Sequence, residues 1–153
     1  MTYDLRSVLP VLIPKAIAWA EAQSFSIGQV GQPLNDTPLA VARSVGVMRP
    51  ELIRVAEIPR LPFPGDPELQ QAALATGLLG PDMVGMTFGY GIYICRGHCT
   101  IRLLSHEFRH VFQYEQAGSI EAFLPTYLQQ IVTVGYRNAP FEIDARAHER
   151  QHA

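Results

Sequence analysis

A chain of 153 residues and 17.0 kDa has the length of one domain. Apolar residues at 48% against 17% charged exclude a solvating, disordered tail, and a net charge of −2 excludes a general nucleic-acid binder. Two cysteines are too few for a disulfide framework, and no apolar run reaches the roughly 18 residues that span a bilayer.

The N-terminal apolar run, residues 8–13, is interrupted by Pro10 and followed by Pro14 and Lys15, with no small-residue cleavage pattern. It predicts no signal peptide, hence a cytoplasmic protein. Residues 9–22 read instead as an amphipathic helix that packs Leu12, Ile13, Ile17 and Trp19 inward. Asn35, Asp36, Thr37 and Pro38 are a helix start, with an Asx or Thr cap and proline in the first turn, and that helix ends near Gly46. Residues 51–58 alternate enough for a short strand. A proline-rich connector follows, and Asp66 caps a helix over 67–76 that Gly77 closes.

Residues 83–95 form the strongest strand signal. Val84, Met86, Phe88, Tyr90, Ile92 and Ile94 recur at period two. Gly85, Gly89 and Gly91 inside it mark a bend, as in a kinked core strand, or a place where another chain or a ligand comes close, as in an edge strand along a cleft. The following turn carries Cys95, His98 and Cys99. One such knuckle does not make a structural zinc site, so two small buried thiols flanking a turn are expected. A long helix runs over 100–117 to Gly118. Ser119 caps an amphipathic helix through Val132, which contains Pro125, and Asn138 caps a last helix with Pro140 in its first turn. The expected architecture is α+β: one mostly helical domain, 1–153, with a small sheet.

His106, Glu107, Phe108, Arg109 and His110 spell H-E-x-x-H. Histidines four apart on a helix project about 40° apart around its axis, so both imidazoles reach one ion. Glu107, to their side, is placed to hold a metal-bound water and take its proton. With five histidines in the chain, about 0.01 accidental matches are expected. Around the helix, Leu104, Phe108 and Val111 make a core arc, and Arg102, Arg109, Gln113 and Gln116 a wet arc. His106 and His110 lie on the border, as in a cleft wall. The alternative is a pair of half-exposed histidines beside the core with Glu107 solvated. Zinc needs a third ligand, and among the downstream groups Glu142 is favoured: it opens the last helix, one helix and two turns after the motif.

The segments LLSHEFRHVFQYEQAG and GYRNAPFEIDARA resemble the gluzincin metallopeptidases, most of all compact bacterial domains of minigluzincin type. The resemblance covers about residues 84–149. It implies a zincin-like core over 81–153, built of an edge strand, the H-E-x-x-H helix and a third-ligand helix, with residues 1–80 a helical part of unassigned role. It also implies zinc ligands at His106, His110 and Glu142, a general base at Glu107, and a peptide or protein substrate. Arg146 departs from the family, which carries there an Asp that orients a ligand histidine. That orienting partner is expected elsewhere, at Asp144 or a backbone carbonyl. Tyr136 is the preferred oxyanion donor, ahead of Tyr114, Arg137 and His148. A zinc-binding scaffold without turnover, and a metal-free helical domain, stay open as alternatives.

Overall fold

The computed structural model describes residues 4–80 and 82–153. Among the described residues six α-helices surround one three-stranded sheet: α1 Leu5–Val30, α2 Asp36–Ser44, β1 Arg54–Ile58, α3 Pro67–Thr76, β2 Gly85–Phe88, β3 Gly91–Cys95, α4 Ile101–Ala117, α5 Ile120–Val134 and α6 Pro140–Ala147. A short 3-10 turn, Pro50–Leu52, precedes β1 and shortens the strand expected from residue 51. No helix among the described residues is long and apolar enough to cross a membrane.

The sheet order is β1-β3-β2, with β1 parallel and β2 antiparallel to the central β3. Helices cover both faces, so β3 is buried at every position. On one face Ala56, Phe88 and Tyr93 pack with α1 and α5. On the other Ile53, Ile92 and Ile94 pack with α2 and α4.

The single strand expected over 83–95 is a hairpin. Phe88 pairs with Gly91, and Gly89 turns the chain with a φ of +65°, a conformation open to glycine. The continuous alternation concealed a change of face. Met86 and Phe88 belong to the α1–α5 core, whereas Ile92 and Ile94 belong to the α2–α4 core.

Helix α1 outruns its expected end at residue 22. The extension places Ile27, fully buried, over Gly91, where even a Cβ would come within 3.0 Å of it. Pro10 and Pro14 lie inside the helix on its exposed side. Lys15 ties α1 to the start of α3 through Asp66 at 2.8 Å, and Asp66 accepts from the Glu68 and Leu69 amides as a cap should. Two other caps differ from expectation. Asn35 sits at its N-cap without a side-chain bond, and Ala139, not Asn138, occupies the N-cap of α6. The thiols also differ: both cysteines are free, and Cys95 is buried while Cys99 is exposed.

Candidate metal centre

Helix α4 starts at Thr100, whose hydroxyl accepts from the Leu103 amide, and ends at Gly118 in the left-handed region. Its strong amphipathicity presses Phe108 and Val111 into the α2–α4 core. That seating turns His106 and His110 toward α6. Both are buried, at 8% and 6% exposure, rather than half-exposed on a rim. Helix α6 is short, with Pro140 in its first turn, and brings Glu142 to 1% exposure between them.

His106 Nε2 lies 3.2 Å from Glu142 Oε1, and His110 Nε2 lies 3.1 Å from Glu142 Oε2. One ligand atom from each of the three residues falls within 4.8 Å of the other two. Among the described residues this is the group placed to hold a metal ion. Among the described residues Cys95, His98 and Cys99 do not form such a group.

The outer ring nitrogens show which way the imidazoles are protonated. His110 Nδ1 meets Gln113 Oε1 at 2.8 Å. The Gln113 amide is fixed in that sense, because its Nε2 donates to the Phe141 carbonyl at 2.9 Å and to Asp144 Oδ2 at 3.0 Å. His106 Nδ1 meets the Glu149 carboxylate at 2.8 Å. Both Nδ1 atoms therefore donate, so each ring, when neutral, turns an Nε2 lone pair toward a carboxylate. Three such donors facing one another are met either by protons on the rings or by a cation among them. Nitrogen and carboxylate donors in this number suit zinc and leave a coordination position open.

The titration of the group follows from the same contacts. Burial disfavours charge on both rings, yet each imidazole is raised. At His106 the Glu142 hydrogen bond and the Glu107 charge outweigh burial. At His110 the Glu142 charge and hydrogen bond do so and push the ring up to about 9. Burial also works against the Glu142 carboxylate, but the His110 charge and bonds from His106, His110 and Tyr127 hold it well below the usual carboxylate range. Protons and a metal ion are thus competing ways of meeting one negative charge.

Glu107 is 4% exposed and not solvated. Thr87 on the edge strand β2 donates to its Oε1 at 2.9 Å. Gly85 lies beneath the other oxygen: a Cβ there would sit 3.2 Å from Glu107 Oε2 and 3.3 Å from two of its carbons. The expected visitor at the glycines was another chain or a ligand; at Gly85 the group that comes close is the chain's own Glu107 carboxylate. On the same edge the Thr87 carbonyl already accepts the Tyr114 hydroxyl at 3.2 Å, which ties Tyr114 to a structural bond.

Tyr136 is half-buried and lines one pocket with Glu107, His110 and Glu142. Burial, then the Glu142 and Glu107 charges, raise its phenol, which therefore stays protonated and able to donate. Arg137 is exposed, and His148 Nδ1 is occupied by the Asp144 carbonyl at 2.8 Å. Arg146 is also exposed and donates to the Arg137 carbonyl, away from the histidines.

The orienting partners are Glu149 and Gln113. Asp144 contributes at one remove by holding Gln113, and it also grips Arg109 at 2.8 Å. Sequence reasoning set Gln113 on the wet arc, but it is 5% exposed. Its signal was the i+3 spacing from His110. Tyr127, in the apolar stripe of α5, donates to Glu142 Oε2 at 2.7 Å. A hydroxyl in such a stripe needs a buried partner, and that was the available cue.

No family model, curated protein or solved structure matches this chain. The functional reading therefore rests on the geometry of the site.

Proposed function

We propose that this chain is a zinc-dependent hydrolase of peptide or related amide bonds, with His106, His110 and Glu142 as ligands and Glu107 as general base. The observation that carries the reading is the convergence of both Nε2 atoms on Glu142 while both Nδ1 atoms are tied to acceptors. Edge strand β2, the motif helix α4 and the third-ligand helix α6 also follow one another in the order of a minigluzincin core, which supports a zincin-like reading of residues 81–153.

Bound zinc supplies Lewis-acid polarisation of a carbonyl and acidifies water. Glu107 takes a proton from the attacking water as its oxygen bonds to the carbonyl carbon. The carbon–nitrogen bond then breaks, and Glu107 passes that proton to the leaving nitrogen, giving a carboxylic acid and an amine. Thr87 fixes Oε1 of the base, which leaves Oε2 to exchange the proton. Tyr127 holds Glu142, and Tyr136 offers a phenol hydrogen to the developing oxyanion.

Glu107→Gln is the test. Hydrolysis of a peptide library by zinc-loaded protein should vanish while one zinc per chain remains. Loss of zinc, or unchanged cleavage, refutes the assigned role. A second reading, a zinc-holding scaffold without turnover, is favoured by the burial of all three ligands. Chelator-sensitive cleavage by the wild type eliminates it.

A further inference from the structure

The free space beside Glu107, His110 and Glu142 is about 100 Å³, against the roughly 300–1,000 Å³ of pockets that receive a small molecule. A peptide segment with its flanking side chains is larger still, so a wall has to give before one reaches the base. The walls are α1, β2, α4, α5 and a segment centred on α3, which supplies Leu69, Ala73, Thr76 and Leu78.

These walls are not equally held. Helices α1, α4 and α5 and strand β2 each place residues in the apolar cores, whereas no residue of α3 belongs to either. Ala73 is the one buried residue of α3, and a single methyl anchors little. Among the described residues, few hydrogen bonds tie α3 and its flanks to distant parts of the chain. Lys15 Nζ donates to Asp66 at 2.8 Å and to Glu68 at 3.1 Å, and the Tyr136 amide donates to the Thr76 carbonyl at 3.4 Å. The lysine pairs are half-exposed, so they hold weakly. Just after α3, Gly77 and Leu79 turn the chain at φ +82° and +61°, and for leucine that left-handed conformation is strained. A hinge that changes φ there relieves the strain.

We propose that residues 64–80 are a lid over the metal centre. Helix α3 swings away from α1 about the turn at Gly77–Gly80 to admit substrate, and shuts with Lys15 as its latch. Closure also seats the Tyr136 turn against Thr76, so the shut lid and the phenol offered to the oxyanion arrive together. That the visitor is a substrate rests on the hydrolase reading of the site; that α3 opens does not.

Hydrogen exchange of the full chain, metal-free and zinc-loaded, reads the opening. Amides of 69–80 should exchange as one unit, about tenfold or more faster than those at the centre of α4. A thiol placed under the lid by Ala73→Cys, in a Cys99→Ser background, should react with iodoacetamide about tenfold or more faster than Cys95, which is buried in β3. Adding Lys15→Met should speed that reaction and the exchange of 69–80 roughly twofold or more, leaving Cys95 and α4 unchanged. If the Ala73 variant does not fold, exchange in wild type and Lys15→Met carries the test alone. Exchange of α3 as slow as that of α4, or rates that Lys15→Met does not move, overturn the proposal. A peptide-library digest separates the two readings. Fast exchange in α3 with no zinc-dependent cleavage keeps the lid and sinks the hydrolase, and cleavage with α3 as protected as α4 does the reverse.

Discussion

Glu149→Ala tests the inner logic of the metal centre. His106 is 8% exposed, and its Nδ1 donates to Glu149 at 2.8 Å, while Arg102 holds the other carboxylate oxygen at 3.0 Å. Removing the carboxylate frees the ring to rotate and to place its proton on Nε2, the atom needed for the ion. Partners of this kind are worth about 10–100-fold in metal affinity, or about 1.4–2.7 kcal/mol. Glu149→Gln keeps an acceptor oxygen but loses the charge assistance, so roughly a fivefold loss is expected. Arg102→Ala touches only an exposed ion pair and should cost about threefold at most. Competition with a chromophoric chelator at fixed pH reads all three. An Ala variant within twofold of wild type, or an Arg102 variant as damaged as the Ala variant, refutes the claim that Glu149 orients His106.

Four further outcomes follow from the same contacts. Gly85→Ala forces Glu107 to give by a few tenths of an ångström against the Thr87 bond, so peptide or amide turnover should fall about tenfold or more with zinc affinity unchanged. Glu142→Ala should abolish zinc binding and, in urea unfolding of metal-free protein, cost about 1–3 kcal/mol by stranding the buried Tyr127 hydroxyl. Raised imidazoles stabilise the metal-free fold fully below about pH 6.5 and lose that contribution as pH climbs through about 9 for His110; the lowered Glu142 contributes above about pH 4.5 and loses its share as pH falls through its folded value. Between pH 6 and 10 wild type should therefore lose more stability in urea than Glu142→Gln, and zinc uptake at pH 7 should release protons, seen by calorimetry in buffers of differing ionisation enthalpy. In native protein one thiol, Cys99, should react with a chromogenic disulfide, slowly because burial and then Glu57 raise its pKa, and two should react in denaturant.

The grouping of His106, His110 and Glu142 was legible because the information is local. Two histidines four apart need only a helix, and Glu142 needs only one helix and two turns between. Their supports were not, since these depend on where the chain doubles back. Glu149 reaches His106 because the Arg150 amide anchors on the buried Ser105 hydroxyl of α4 at 2.8 Å, a contact no periodicity announces. The hairpin at Gly89 was hidden for a different reason. Apolar residues line both faces of a sheet that is covered on both sides, so the pattern shows no break where the chain reverses. Tertiary contact likewise extended α1, since Ile27 gains burial that weak local propensity over Ser24, Ser26 and Gly28 does not foretell.

Gly85 supplies a filter for where the glutamate of an H-E-x-x-H helix can lie. A glutamate pressed flat against a neighbouring strand demands a missing side chain on that strand, while a solvated glutamate demands nothing. A chain of this architecture with a bulky residue at that strand position has no room for a glutamate so placed, however well its two histidines are spaced.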